Sequence, residues 1–201
     1  MSKIKTILTI MVIVPGIFLL CSCNPVADES RSATRLLLEN ILGYDMEDQV
    51  ANFLESDVLH VDPTTQIGTI HADAATAAFT AELIDPNSVN GPSSYNDITL
   101  TRYIVSYSRS DGKNVEGVDI PYAFEGHLST MVTVGESTDI NFTIVRAIAK
   151  DEPPLVNLQT GRADGVLTVT AKVDFYGHDQ ASRNVTVTGY LTIHFANYAN
   201  D

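Results

Sequence analysis

Leu167-Thr168-Val169-Thr170-Ala171-Lys172-Val173-Asp174-Phe175-Tyr176 decides the fold. Leu167, Val169, Ala171, Val173 and Phe175 alternate with Thr168, Thr170, Lys172, Asp174 and Tyr176, the two-residue period of a half-buried β-strand. Downstream, Val185, Val187, Leu191, Ile193 and Phe195 alternate in the same way with Thr186, Thr188, Tyr190, Thr192 and His194. Keeping both apolar sets on one face fixes the register of a hairpin to within steps of two. The simplest pairing sets Phe175 against Val187, Val173 against Gly189 and Ala171 against Leu191. Lys172 then stands opposite Tyr190 on the outer face. Gly189 leaves a gap in the apolar row that a neighbouring side chain or a bulge must account for.

The same texture reaches back to about Glu55. Runs rich in Thr, Val, Ile, Tyr and Phe predict strands over 58–61, 68–71, 75–84, 98–108, 118–122, 127–134, 139–147, 166–176 and 185–195. Turn residues separate them: Asp85-Pro86-Asn87, Asn90-Gly91-Pro92, Asp111-Gly112, Gly135 and Pro153-Pro154. Such runs without long helical patterns between them argue an all-β antiparallel sandwich over 55–201.

Ahead of it the pattern changes. Leu36, Leu37, Leu38, Ile41 and Leu42 fit one helical face stopped by Gly43. Asp45 suits a cap, and Met46, Val50, Phe53 and Leu54 recur at helical spacing. Two short helices packing on the domain are expected; an irregular segment covering one end of the core is the alternative. Asn24 to Arg35 reads as a polar tether.

Residues 1–22 read as an export signal: Lys3 and Lys5, then an apolar run from Ile7 to Leu20 broken by Pro15-Gly16. The run falls short of the roughly 20 residues that span a bilayer. Leu20-Cys21-Ser22-Cys23 follows, and it resembles the lipobox of bacterial lipoproteins, with Cys23 as the lipidated first residue of the mature chain. Cys21 does not fit that role, because Leu19 and Leu20 would fill its two small positions. The resemblance implies two or three acyl chains such as palmitate on Cys23, enough for stable anchoring where one chain is marginal. Asn24 in place of Asp favours the outer membrane over the inner one. The mature protein is therefore expected in the cell envelope, attached through 23–54 as a lipidated tether.

Composition narrows the function. The 201 residues carry 12 Lys+Arg against 25 Asp+Glu, a net charge of −13, which repels phosphate backbones and argues against nucleic acid. With no Cys beyond Cys23, the mature domain has no internal disulfide, thiolate metal site or Cys nucleophile. Tyr95-Asn96-Asp97, Arg102-Tyr103, Ser108-Arg109-Ser110-Asp111-Gly112, Val118-Asp119-Ile120-Pro121-Tyr122 and Phe175-Tyr176-Gly177-His178-Asp179 resemble a set of bacterial lipoproteins predicted to carry an immunoglobulin-like domain. The resemblance implies an immunoglobulin-like β-sandwich over roughly 56–198 and no catalytic residue. Asp179-Gln180-Ala181 is similar to hairpin turns of bacterial immunoglobulin-like modules. Those modules often continue Gly-Asn, so with Ser182-Arg183 here no glycine supplies a positive φ.

Chemistry-bearing patterns are sparse. His60, His71, His127, His178 and His194 form no pair within four residues, so no local metal motif exists. Gly-x-Ser-x-Gly, a P-loop and His-Glu-x-x-His are all missing. Two features carry functional expectations. Asp111, Asn114, Glu116 and Asp119 put hard oxygen ligands in a glycine-containing loop, which suits calcium, although a polar hairpin connection explains the same residues. Tyr103 and Tyr107 share one strand face, and Tyr176 and Tyr190 share the outer face of the last hairpin. Adjacent, they would make an aromatic, threonine-rich surface for glycans or a protein partner. Alternatively, Tyr103 and Tyr107 face the core. The function expected is a lipid-anchored envelope module, without catalysis or cofactor, that contacts another envelope protein or a polysaccharide. A calcium- or small-ligand-binding protein is the alternative. A hydrolase built from distant carboxylates is a minor one.

Overall fold

The alternation in residues 167–195 becomes the central hairpin of the larger of two packed sheets in a computed structural model, which describes residues 31–89, 91–160 and 165–198. The expected signal peptide, Cys23 and the tether as far as residue 30 lie outside the described residues. Strands β10 (Leu167–Asp179) and β11 (Asn184–Ala196) pair antiparallel with Phe175 opposite Val187, Val173 opposite Gly189, Ala171 opposite Leu191 and Lys172 opposite Tyr190. The gap at Gly189 is filled from across the sandwich, because a Cβ there would collide with Leu38 and Ile41. At the turn Ser182 itself takes the positive φ, 62°. Asp179 holds that turn: its Oδ1 accepts from the Ala181 and Arg183 amides, both at 2.9 Å.

The remaining strands are β1 (Thr34–Tyr44), β2 (Val50–Ala51), β3 (Phe53–Asp57), β4 (His60–Val61), β5 (Gly68–Thr69), β6 (Asp73–Leu83), β7 (Ile98–Ser108), β8 (Phe124–Val132) and β9 (Ser137–Val145). Two short helices follow β9, α1 (Ala147–Lys150) and α2 (Leu155–Gln159). One sheet runs β2-β1-β6-β9 and the other β3-β11-β10-β7-β8, with β4-β5 as a separate hairpin. Neighbours pair antiparallel except β3, which lies parallel to β11. The chain is an all-β sandwich with immunoglobulin-like strand order. Its interior is aromatic: the Phe175 ring meets Phe79 at 4.9 Å and Phe142 at 5.2 Å edge-on, and Tyr103 meets Phe142 at 5.1 Å.

The helices expected over 36–54 are strands, and the sandwich begins at Thr34 rather than Glu55. The cause is a bulge. Leu38 pairs with Phe79 and Asn40 with Ala78, so Glu39 is an extra residue in β1. The bulge stretches the inward spacing from two to three, and Leu38 to Ile41 then imitates a helical step. Gly43 is no helix stop; a Cβ there would strike the Phe53 carbonyl as β3 crosses over. Asp45 does cap a turn, its Oδ1 accepting from the Glu47 and Gln49 amides at 3.0 and 2.8 Å. Asp48 at φ 58° then reverses the chain instead of continuing a helix. The strand expected over 118–122 is also absent: the Val118, Asp119 and Ile120 amides all turn back onto the Val115 carbonyl.

The sandwich has two distinct ends. At the proximal end the chain enters β1, with Thr34 beside Leu83 of β6, and the β10–β11 turn lies beside the start of β7. At the distal end β6 begins beside the end of β9, and β3 finishes beside Ala196 of β11.

Candidate functional site

Three segments far apart in sequence meet at the distal end. Pairing with β11 carries Ser56 and Asp57 there on β3, pairing with β9 brings Asp73 as the first residue of β6, and α1 ends on Lys150. The Lys150 side chain is 1% exposed and that of Asp73 17%. Lys150 Nζ donates to Asp73 Oδ1 at 2.9 Å and to the Asp57 carbonyl at 2.7 Å. Ser56 Oγ donates to Asp73 Oδ2 at 2.6 Å. Burial pushes the Asp73 carboxyl above the usual carboxylate range, against the opposing pull of the Lys150 charge and the Ser56 hydrogen bond. Asp57 Oδ1 accepts from the Leu59 and Tyr198 amides at 3.3 and 3.2 Å. Its Oδ2 is buried with no hydrogen-bond partner among the described residues. Gln159 Nε2 ties the cluster to α2, donating to the Val58 and Lys150 carbonyls, both at 2.8 Å.

Asp57, Asp73 and Lys150 border a cleft of about 630 Å³ whose lining also includes Asp45, Glu47, Asp48 and Glu55. Its charge is strongly negative, because Lys150 is already engaged with Asp73. His60 and His71 lie at the same cleft with ring centroids 6.1 Å apart, and His71 Nε2 is 2.9 Å from the Thr69 hydroxyl. Sequence spacing hid this pair, since only the β4–β5 hairpin brings the two together.

The four loop residues expected to hold calcium are not assembled as a ligand set. Asp111 forms an ion pair with Arg109 at 2.6 Å, and Asn114 Oδ1 accepts from the Arg109 amide at 2.6 Å. Asp119 Oδ2 accepts from the Val115 amide at 3.2 Å and Glu116 Oε1 from the Ala123 amide at 3.3 Å. Each oxygen-bearing side chain thus fastens a different part of the loop. Arg109 holds the Asp111 carboxyl below its ordinary range. Among the described residues no three His, Cys, Asp or Glu side chains are grouped to hold a metal ion.

The four tyrosines do not make one surface. Tyr103 and Tyr107 are buried in the core, and Tyr107 donates to the Ile144 carbonyl at 2.7 Å. Tyr190 is exposed on the outer face, while Tyr176 is half-buried beneath the Arg102 guanidinium, 4.0 Å from its ring centroid. The outer face retains its threonines, with Thr188 donating to Asp174 Oδ1 at 2.6 Å and Lys172 to Asp174 Oδ2 at 2.7 Å. No helix among the described residues is long and apolar enough to cross a membrane. No protein-family model and no curated protein matches the chain, so the chemistry of this end rests on its own residues.

Proposed function

We propose that this protein is a lipid-anchored envelope module that works by binding another envelope protein or a polysaccharide, with the distal cleft as its binding end. The observation that carries this reading is the separation of the two ends. The chain enters β1 at the proximal end, and the carboxylate-lined cleft sits at the other. If Cys23 carries the lipid, residues 24–31 extend at most roughly 30 Å. Attachment then enters the sandwich at the end opposite the cleft. Loss of Lys3 and Lys5 with the signal takes the net charge from −13 to −15, which adds repulsion from an anionic membrane surface. Phe79, Phe142, Phe175 and Tyr103 fill the interior, so a ligand is met from outside. Carboxylates around the cleft select basic groups on the partner.

Crosslinking in intact cells, followed by recovery of the anchored chain, tests the reading. The expected result is a distinct envelope protein or glycan captured by the native chain and lost from Asp45→Lys/Glu47→Lys/Asp48→Lys. Capture of nothing but the chain itself, or equal capture by the charge-reversed variant, contradicts it.

A further inference from the structure

We propose that Lys150 Nζ and the Asp73 side-chain carboxyl carbon join in an amide, an intramolecular isopeptide crosslink that closes the distal end of the sandwich. The reacting groups are already in place. Buried Nζ lies 2.9 Å from Oδ1 of the half-buried Asp73 carboxyl, and the Asp57 carbonyl at 2.7 Å holds the amine in position. A fixed pair of this kind converts a bimolecular condensation into a unimolecular one. Ser56 Oγ–H, 2.6 Å from Oδ2, is aimed at the oxygen that remains as the amide carbonyl and carries charge on the way. The neighbouring Asp57 charge adds to burial in raising the Asp73 carboxyl.

The step balances without an external reagent. A proton passes from the Nζ ammonium to Asp73 Oδ1, giving the amine and the carboxylic acid that the condensation needs. The Nζ lone pair forms the bond to the carboxyl carbon. The second Nζ proton passes to the departing Oδ1 hydroxyl across the same contact, so the carbon–Oδ1 bond breaks and one water leaves. Both residues border the cleft, which gives that water an exit. Burial raises the Asp73 carboxyl, in the direction the acid form requires. The product ties the start of β6 to the end of α1, residues 77 apart in sequence. Like any covalent closure of a long loop, it restricts the unfolded chain far more than the folded one.

The same distances also serve a plain ion pair, and mass spectrometry separates the two. The protein is purified as its cells make it, denatured and digested with trypsin. With the crosslink, cleavage fails at Lys150, and segment 36–102 is recovered joined to 147–162, lighter by one water than the two apart. Recovery of the two segments separately, with Lys150 cleaved and Asp73 at its sequence mass, overturns the proposal. The joined species disappears in Lys150→Arg, which retains a cation for Asp73. Its persistence there would place the bond elsewhere and overturn the assignment. The native digest decides the matter even if that variant does not fold.

Discussion

Phe175 occupies the centre of the interior, fully buried, with its ring against Phe79, Phe142 and Tyr103. Its neighbour Tyr176 points the other way and stacks under Arg102. One residue of alternation therefore separates a core position from a surface one. Phe175→Ala removes a ring that three others pack against and is expected to cost about 3–5 kcal/mol. Thr170→Ala on the outer face is expected to cost less than about 1 kcal/mol. Urea unfolding of both variants checks the face assignment, and equal tolerance at the two positions would contradict it. Ser182 shows that a residue can also depart from its local preference. It adopts φ 62° without a glycine, because the Asp179 carboxylate fastens the backbone on either side.

At the scale of the element, legibility follows the regularity of the period. The β10–β11 hairpin reads directly, because two uninterrupted alternations leave one register that buries both apolar rows. β1 reads wrongly, because Glu39 interrupts its alternation and its partner β6 is too far away in sequence to inform the local pattern. Deleting Glu39 removes the extra residue while leaving Leu38 opposite Phe79 and Asn40 opposite Ala78. Deleting Thr170 instead turns one half of β10 inside out. Cooperative thermal unfolding is expected to survive the first deletion and vanish in the second. The reverse pattern would show that the bulge is indispensable. The β7–β8 connection supplies a second test. Asp111, Asn114, Glu116 and Asp119 are each spent on an internal loop contact, so millimolar calcium and chelator are expected to give the same melting temperature. A rise that vanishes in Asp111→Asn/Asp119→Asn would restore the metal reading.

The whole molecule places its chemistry where no local signal exists. Ser56, Asp57, Asp73 and Lys150 come from β3, the start of β6 and a helix after β9, and each looks like an ordinary polar residue in its own segment. Only the sheet order brings them together, so the sandwich is legible in the sequence and the distal cluster is not. A buried lysine directly before Asp151-Glu152 gives no warning either, since that run reads as solvated charge. The reading that joins both ends is a module held by lipid at one end and presenting a cleft at the other. The most direct measurement is mass spectrometry of the mature N-terminus together with membrane fractionation of the native chain, Cys23→Ala and Cys21→Ala. An acylated Cys23 as the first residue is expected, with attachment kept in Cys21→Ala and lost in Cys23→Ala. A mature chain that begins elsewhere, or a Cys23→Ala protein that remains acylated and membrane-bound, would contradict it.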